Sequence, residues 1–227
     1  MGTLAGRQLL VTSGSTRGLI DRVRYITNRS TGKLGAILSE GALARGASVT
    51  YLYGRGSFVP DPGPAADRLA VKEVETVEEV METVEQIMSR SVPDAVIHSM
   101  AVLDYVPADF SDQKIKSGKD EWHIRLVPTP KIIAVIRDLA PEAFLVSFKL
   151  EVGKSEEELI EIARAHLSSS SSDLVLANDL ARIEAGRHLG ILVDAGGAVV
   201  ARVEGKAAIA ETILDAVEGV VAGKEAV

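Results

Sequence analysis

The sequence has no cysteine among its 227 residues. Disulfide bonds, cysteine nucleophiles and thiolate metal ligands are therefore excluded as sources of stability or chemistry. A chain without thiols also fits a reducing compartment, so we expect a cytoplasmic protein.

Long hydrophobic runs are missing as well. No stretch reaches the ~18 apolar residues that a membrane-spanning helix needs, and no leader-like apolar segment precedes the first predicted strand. We therefore expect a soluble, unprocessed protein with no membrane partner.

Basic residues are fewer than acidic ones. The chain has 25 lysines and arginines against 32 aspartates and glutamates, which gives a formal net charge of −7 and a pI near 5.2. Such a surface does not favour polyanions, so no nucleic acid partner is expected. Hydrophobic residues make up 46% of the chain, enough for one substantial α/β core, and we expect residues 1–227 to form a single domain.

The segment Leu9–Tyr53 is the most informative part of the sequence. Its apolar spacing predicts a strand at 8–13, a long loop, a helix over about 30–46 and a second buried strand at 49–53. A strand that leads through a loop into a helix presents free backbone N–H groups at the helix start. Those groups suit a phosphate or a carboxylate.

The loop in this segment favours an anionic small molecule. It matches a dinucleotide-binding fingerprint poorly, because Gly14 and Gly18 lack a third glycine and the helix begins about fifteen residues later. The second strand also ends without the acidic residue that would bind a ribose. A plain surface loop is the less favoured interpretation, since long loops in α/β domains are usually functional. Its polar candidates are Thr16, Arg17, Asp21, Arg22, Arg24, Asn28, Arg29 and Lys33.

Further along the chain, short apolar strands alternate with amphipathic helices. Strand patterns at 69–74 and 95–97 flank a helix at 76–90, and this order predicts a mostly parallel sheet. Two strands around Gly196-Gly197 predict a β-hairpin, and a last helix closes the chain. The expected fold class is α/β and Rossmann-like, with helices on both faces of the sheet and a small β-hairpin extension.

Candidate ligand groups follow the strand at 95–97, because ligands of doubly wound sheets bind beyond the carboxyl ends of the strands. Asp104 lies at such a position. His98 ends the strand itself and is interpreted as a hydrogen-bonded structural residue, not as a general base. An aperiodic polar stretch over about 107–121 predicts a mobile flap, followed by a strand at 122–127.

Two helix starts are also predicted from capping signals. Thr129 is expected to cap a helix with Pro130 at its first position, and this N-terminus is a further candidate anion site. A capping box at 155–158 begins another helix. That helix runs into five serines, residues 168–172, which are typical of a helix end or a flexible connector.

A series of motifs runs through the chain in the order SGSTRGLIDRVRYITNRSTGKLG, HSMAVLDYVPADF, QKIKS, LVPTPKII, VSFKLE and DLVLANDL. Together they resemble the phosphopantothenate–cysteine ligase (phosphopantothenoylcysteine synthetase) family over nearly the whole chain. The resemblance implies a ligase of coenzyme A biosynthesis that joins 4′-phosphopantothenate to L-cysteine through an acyl-nucleotidylate intermediate. The cysteine in that reaction is a substrate, since the chain has none.

The resemblance also implies the site residues. Lys114 in the flap would neutralise phosphate charge in the first half-reaction, and Asn28 would donate to the oxyanion of the amide-forming step, assisted by backbone N–H groups near Met100 and Ala101. Phe148 would lie on the nucleotide base. Implied substrate-binding residues are Arg24, Asn28 and Arg29. Implied nucleotide-binding residues are Gly14, Ser15, Thr16, Met100, Ala101, Asp104, Lys114, Lys116, Thr129, Pro130, Lys131, Ile132 and Phe148.

The sequence departs from the family pattern in three places. Ser117 replaces the last lysine of the flap motif K-x-K-K, and Lys131 replaces an acidic residue. His166 and Ser170 lie near positions where better-known members carry lysines that reach the triphosphate. We therefore expect weaker nucleotide binding than in lysine-bearing relatives. The remaining contacts expected for the triphosphate are Lys114, Lys116 and the helix start at Thr129.

Magnesium with CTP or ATP as cosubstrate is implied, although no cluster in the sequence identifies the metal ligands. No flavin is expected, because the sequence contains no decarboxylase segment, and a stand-alone synthetase acting as a homodimer is implied. Two other function classes stay open. One is a nicotinamide-dependent reductase with an atypical Rossmann loop, and the other is a non-catalytic small-anion-binding module.

Overall fold

The computed structural model describes residues 3–118, 120–184 and 187–223. Parts of the predicted domain, namely 1–2, 185–186 and 224–227, and residue 119 of the predicted flap lie outside the described residues. The strands are β1 (Gln8–Ser13), β2 (Arg17–Leu19), β3 (Tyr25–Thr27), β4 (Ser48–Gly54), β5 (Leu69–Val74), β6 (Ala95–His98), β7 (Tyr105–Pro107), β8 (Leu126–Pro128), β9 (Phe144–Glu151), β10 (Leu174–Asp179), β11 (Leu189–Asp194) and β12 (Val199–Glu204). The α-helices are α1 (Lys33–Ala44), α2 (Val77–Arg90), α3 (Ile132–Leu139), α4 (Glu156–Ser170), α5 (Leu180–Glu184) and α6 (Lys206–Gly223), and a 3-10 helix covers Gly63–Arg68.

Within the described residues, the main sheet has the strand order β12-β11-β10-β9-β6-β1-β4-β5. Every neighbouring pair from β10 to β5 is parallel, whereas β11 and β12 run antiparallel at one edge. The predicted α/β class, the mostly parallel sheet and the β-hairpin extension are therefore confirmed. The chain adds β4 and β5 on one side of β1 and later strands on the other, so the topological switch point lies between β1 and β6.

Helices cover both faces of this sheet, as predicted. Alternate residues of a strand point to opposite faces, and β1 shows this directly: Leu9 and Val11 pack with α1 and α6, whereas Leu10 packs with α2 and α3. A third cluster joins α4 to β10 and β11. Among the described residues, no helix has the length and apolar character to span a membrane.

Local sequence signals explain several helix starts. The Thr76 side chain accepts a hydrogen bond from the Glu79 N–H at the start of α2, and Ser155 with Glu158 forms the predicted capping box of α4. Both contacts satisfy backbone N–H groups that have no partner inside the helix. The capping box predicted at 155–158 is thus confirmed.

Three local predictions need correction. The long loop contains a small hairpin, β2 and β3, that sequence periodicity did not predict. The strand expected at 122–127 is reduced to β8, which pairs with β7. Thr129 does not cap α3, which begins at Ile132 after Lys131, because the Thr129 hydroxyl donates to the Leu103 carbonyl at 2.6 Å. In each case a tertiary contact outweighs the local pattern.

The serine tract forms the end of α4. Ser171 adopts the left-handed conformation at the C-cap, with φ at 51°. Ser170 and Ser172 are buried, and their hydroxyls make a chain to Ser147 on β9 with O–O distances of 2.8 Å. The tract is therefore a packed helix end, and a lysine at Ser170 would have to leave a buried position.

Candidate functional site

The β1 and β6 carboxyl ends bring two predicted nucleotide-binding segments together. Ser15 pairs with Ala101 as an isolated parallel bridge, and the Ala101 N–H donates to the Gly14 carbonyl at 2.8 Å. Thr16 is fully buried, and its hydroxyl accepts from the Leu103 N–H at 2.9 Å. Residues 14–16 and 100–101 therefore meet as expected, with Met100 buried beneath them. The Ala101 N–H is already donated within the protein, so the expectation that it assists an oxyanion needs correction.

Glycine is required where the β1–α1 loop crosses the strand ends. Gly14 has a φ of 79°, and a Cβ there would lie 2.0 Å from the Ser57 hydroxyl. Gly54 ends β4, and a Cβ on it would lie 2.0 Å from the Ser15 carbonyl oxygen. The loop backbone thus fills the space at the end of β4. A dinucleotide-binding fold places a ribose at the end of its second strand, so this packing disfavours the reductase alternative.

Asn28 reaches the switch point through its amide group. Its Nδ2 donates to the carbonyl oxygens of Ala101 at 3.1 Å and Val102 at 3.3 Å. The preceding residue, Thr27, donates its hydroxyl to the Thr16 carbonyl at 2.7 Å. Asn28 is exposed to solvent. The side chain therefore ties the loop to the segment after β6 while remaining accessible to a ligand.

Most arginines of the loop have acidic partners within the protein. Arg17 pairs with Glu75 at 3.0 Å and stacks on the Tyr25 ring, with its guanidinium carbon 4.2 Å from the ring centre. Arg22 pairs with Asp112 at 2.5 Å. Arg24 pairs with Asp21, as described below. These contacts neutralise much of the positive charge that the sequence suggested was open to an anion.

Arg29 is the most exposed arginine among the predicted substrate-binding residues. Its side chain is 86% exposed, and its nearest acidic partner, Glu184, lies at 3.4 Å. An exposed pair of this kind contributes little to stability. Arg29 can therefore exchange Glu184 for an anionic substrate at small cost.

The predicted flap packs against the β2–β3 hairpin. The N–H of Ser111 donates to the Ile20 carbonyl at 3.1 Å, and the N–H of Ile115 donates to the Asp21 carboxylate at 3.1 Å. Lys114 and Lys116 flank Ile115 and are both exposed. The flap lysines thus lie on a segment whose backbone is attached to the opening loop.

Asp104 and the segment 129–131 also come together as predicted. The Lys131 ammonium lies 2.5 Å from the Asp104 carboxylate, and the Thr129 N–H donates to the Asp104 carbonyl at 3.0 Å. Pro130 is exposed, and Ile132 is buried at the start of α3. Lys131, which replaces the acidic residue of the family pattern, is therefore the ion-pair partner of the carboxylate expected to contact the nucleotide.

Phe148 and His166 lie on opposite sides of the sheet. Phe148 is partly buried and packs against the core under α1 and α6. His166 belongs to α4, and its pKa is lowered by burial and by the charges of Lys149 and Lys131. Among the described residues, its buried Nε2 has no hydrogen-bond partner. His166, Lys149 and Lys131 thus form a group of basic side chains near the start of α3.

His98 is a structural residue, as predicted. Its Nδ1 lies 2.7 Å from the Thr12 hydroxyl, and the side chain is buried. Burial lowers its pKa to about 4, and the charge of His166 acts in the same direction. Within the described ranges, no group of three or more His, Cys, Asp or Glu residues could hold a metal ion.

The sequence placed Asp21 among the polar residues of the opening loop but indicated no specific role for it. Its carboxylate accepts from the backbone N–H groups of Val23 and Arg24 at 2.8 and 2.9 Å, the contacts of an Asx turn. The signal available in the sequence was the aspartate itself, because aspartate favours turns of this kind. The contact to the flap, 94 positions away, had no local signal.

The fold and the strand-end site define the class: an open α/β protein with a candidate small-molecule site at the switch point of a parallel sheet. The chain belongs to the DNA/pantothenate metabolism flavoprotein C-terminal domain family, whose model matches residues 4–220. The coenzyme A biosynthesis bifunctional protein CoaBC of Thermococcus kodakarensis is 44% identical over 178 residues, or 78% of this chain. That match covers 42% of the relative, so the chain spans about two-fifths of the length of that protein.

Solved structures agree with this assignment. The DNA/pantothenate metabolism flavoprotein from Streptococcus pneumoniae superimposes with a TM-score of 0.84 at 31% identity, covering 94% of this chain and 99% of that one. A Cab2 mutant in complex with phosphopantothenate-cysteine superimposes with a TM-score of 0.79 over 97% of this chain and 89% of that one. At 22% sequence identity, this match shows a likeness of fold alone.

Proposed function

We propose that this protein is a phosphopantothenate–cysteine ligase that uses CTP or ATP. The observation that carries the proposal is the contact of Asn28 with the segment after β6, in an opening loop to which the lysine flap is also attached. The family assignment and the name of the Cab2 complex support the substrate class. We also propose that the chain acts as a single synthetase unit.

The reaction needs two kinds of stabilisation. The carboxylate of 4′-phosphopantothenate attacks the α-phosphate of the nucleotide, pyrophosphate leaves, and an acyl nucleotidylate remains. The amine of cysteine then attacks the acyl carbon and the nucleoside monophosphate leaves. The first step places growing negative charge on the leaving phosphates, and the second creates an oxyanion at the acyl carbon. A cationic flap and a neutral N–H donor match these two demands.

We assign the first demand to Lys114, with Lys116 and Lys131 as further cations near the phosphates. Asn28 serves the second. Its solvent-exposed Nδ2 donates to two carbonyl oxygens, so it would exchange one of these acceptors for the oxyanion as the intermediate forms. Arg29 fits the phosphate of the acyl substrate, because its present ion pair is exposed and weak. Asp104 and Phe148 would contact the nucleoside.

Magnesium would enter with the nucleotide. The described residues offer no cluster of three or more His, Cys, Asp or Glu side chains as a protein cage, and Mg²⁺ is usually held by substrate phosphates with one or two carboxylates. The described residues therefore fit an ion that is carried by the phosphates. The ion would supply charge neutralisation for the phosphates.

We further propose that the protein forms a homodimer. Several large apolar side chains of the β7–β8 region are exposed, and grouped exposed apolar side chains typically mark an interaction surface. Sedimentation equilibrium tests this point, and a monomer at micromolar concentration would contradict it. The residues concerned are Tyr105, Phe110, Trp122, Ile124 and Leu126.

Incubation with 4′-phosphopantothenate, magnesium and CTP or ATP tests the activity. Pyrophosphate should be released and an acyl nucleotidylate should be detectable by mass spectrometry. Addition of L-cysteine should discharge it to the amide. Nucleotide binding without pyrophosphate release would instead indicate an anion-binding module, and turnover of a nicotinamide cofactor would indicate a reductase.

The variant Asn28→Asp separates the two half-reactions. A carboxylate repels the oxyanion but leaves the α-phosphate chemistry intact, so the acyl nucleotidylate should accumulate while cysteine discharges it more slowly by about tenfold or more. Asn28→Ala is the comparison, because it removes the donor without adding charge. If neither variant makes the intermediate, Asn28 serves binding or the first step, and the assignment is wrong.

A further inference from the structure

Asp21 is a buried carboxylate in the turn between β2 and β3. Its side chain is fully inaccessible, and its two oxygens have different partners. Oδ1 accepts from the backbone N–H groups of Val23 and Arg24. Oδ2 accepts from Nε and Nη2 of Arg24 at 3.0 and 2.5 Å and from the Ile115 N–H at 3.1 Å.

Two hydrogen bonds join the flap to the turn at Ile115. The same Arg24 guanidinium that binds Asp21 donates from Nη2 to the Ile115 carbonyl at 2.8 Å. Both backbone groups of Ile115 are therefore held, one by Asp21 and one by Arg24. On its other face the Arg24 guanidinium lies 4.4 Å from the centre of the Trp122 ring, beyond the flap. The flap is attached to the turn at Ile115, between the two lysines.

The electrostatics keep this anchor ionised. The Arg24 guanidinium is the largest cause that holds the pKa of Asp21 far below its usual range, and the N–H groups of Ile115, Val23 and Arg24 act in the same direction against burial. A carboxylate that accepts several N–H groups and a guanidinium stays charged. The anchor is thus intact at any pH at which the protein would work.

The turn alone does not explain this arrangement. An Asx turn uses one side-chain oxygen, and Oδ1 fills that role. Oδ2 accepts from the Arg24 side chain within the turn and also from the Ile115 N–H of the flap, which an Asx turn does not require. The second oxygen therefore has a separate task.

We propose that Asp21 is a positioning residue of the ligase site. It acts through Arg24 and the Ile115 backbone to hold Lys114 and Lys116 at the strand ends before a nucleotide binds. This inference rests on the proposed function for its catalytic consequence, but the anchoring itself does not. A single carboxylate thereby couples a predicted substrate-binding arginine to the predicted nucleotide flap.

The variant Asp21→Asn is a selective probe of this anchor. An amide keeps one oxygen for the turn but replaces Oδ2 by an NH₂ group, which cannot accept from Arg24 or Ile115. The comparison variant is Asp112→Asn, because Asp112 is also a flap residue that pairs with an arginine of the turn, Arg22, but on the exposed surface. Such a surface pair has little energetic effect.

Hydrogen exchange of the free protein measures the anchor directly. In Asp21→Asn, the flap N–H groups around Ile115 should exchange at least about tenfold faster than in the wild type, while the sheet is unchanged. In Asp112→Asn, the exchange rates of the same N–H groups should differ from those of the wild type by less than about threefold. If Asp21→Asn does not fold, the same exchange measurement is made on Ile115→Pro, because this change removes the flap N–H and leaves the Asp21–Arg24 pair. Unchanged flap exchange in the variant that folds overturns the proposal.

Kinetics then separate positioning from a general structural role. Asp21→Asn should raise the nucleotide KM by about tenfold, but in a Lys114→Gln background the same change should add less than about threefold, since the lysine it positions is gone. Equal effects in both backgrounds would overturn the positioning role. If the wild type releases no pyrophosphate, the proposed function fails, while the exchange experiment still decides whether Asp21 anchors the flap.

Discussion

The Thr12 hydroxyl lies 2.7 Å from Nδ1 of His98, on the neighbouring parallel strands β1 and β6. The pair is buried at the level where both strands end. Because burial lowers the pKa of His98 to about 4 from 6.5, the imidazole is neutral in the folded protein at neutral pH. Protonation of this group is linked to folding.

We predict that the free energy of unfolding decreases when the pH is lowered, because of this histidine. In the unfolded chain His98 binds a proton below its pKa of 6.5, whereas in the folded chain it does so only below about 4. The contribution of the neutral histidine to stability is therefore complete above pH 6.5 and is lost as the pH falls from 6.5 to about 4. The total loss is ~3 kcal/mol. Urea titrations from pH 7.5 to 4.5 measure it. His98→Gln should flatten the profile, whereas the exposed His123→Gln should not. Identical slopes in His98→Gln and the wild type would contradict the prediction.

Gly54→Ala should destabilise the protein by ~1–3 kcal/mol or prevent folding, because the new methyl group meets the Ser15 carbonyl oxygen at 2.0 Å. Backbone atoms cannot turn aside as a flexible side chain can. The control is Gly219→Ala on α6, where no atom lies within 4 Å of the added Cβ. That change should stabilise by ~0.5–1 kcal/mol. Chemical denaturation of both variants measures the difference, and equal stabilities would show that the loop yields freely.

Lys114→Gln should slow pyrophosphate release by more than about tenfold, since the flap loses the cation expected to neutralise the leaving phosphates. Single-turnover formation of the acyl nucleotidylate is the measurement. Lys72→Gln, on the edge strand β5, is the control and should leave the rate unchanged. A Lys114→Gln rate equal to the wild-type rate would remove Lys114 from the mechanism.

Triphosphate binding should be accompanied by proton uptake at His166. Burial and the charges of Lys149 and Lys131 lower its pKa in the free protein. A polyanion bound beside these lysines offsets their charge and raises the pKa of His166, so the protein should take up protons when the triphosphate binds in mildly acidic buffer. Calorimetry in two buffers of different ionisation enthalpy measures it.

His166→Gln should abolish this uptake, and His188→Gln, whose nearest cationic influence is Lys206, should not. If the wild type takes up no proton, the triphosphate does not lie near α4. In that case His166→Lys would also leave the nucleotide affinity unchanged. A tighter affinity in His166→Lys would instead restore the contact that the lysine-bearing relatives make.

The regular elements could be predicted because their signals are local. The apolar spacing of α2 follows from the helical period of 3.6 residues, and β1 and β4 are short apolar runs typical of buried strands. Both signals depend only on neighbouring residues. The capping box at Ser155 is equally local. The three-residue strands of the β2–β3 hairpin were missed because they contain too few residues to show a period.

The start of α3 was predicted wrongly for a physical reason. Thr129 followed by Pro130 is a strong capping signal, but the Thr129 hydroxyl donates to the Leu103 carbonyl, a group distant in sequence. A side chain with a tertiary partner is unavailable for capping its own helix. The motif therefore indicated the right segment for the site but the wrong first residue for the helix.

Motifs and periodicity are properties of adjacent residues, so the α/β class, the family resemblance and the segments of the site could be predicted from the sequence. Which charges remain open to a ligand depends on the folded structure. Arg17, Arg22 and Arg24 look like an anion site in one dimension, yet each has an acidic partner in the fold. The net field at a site depends on distances between residues far apart in the chain, and burial fixes Asp21 between a turn and a flap that no local pattern connects.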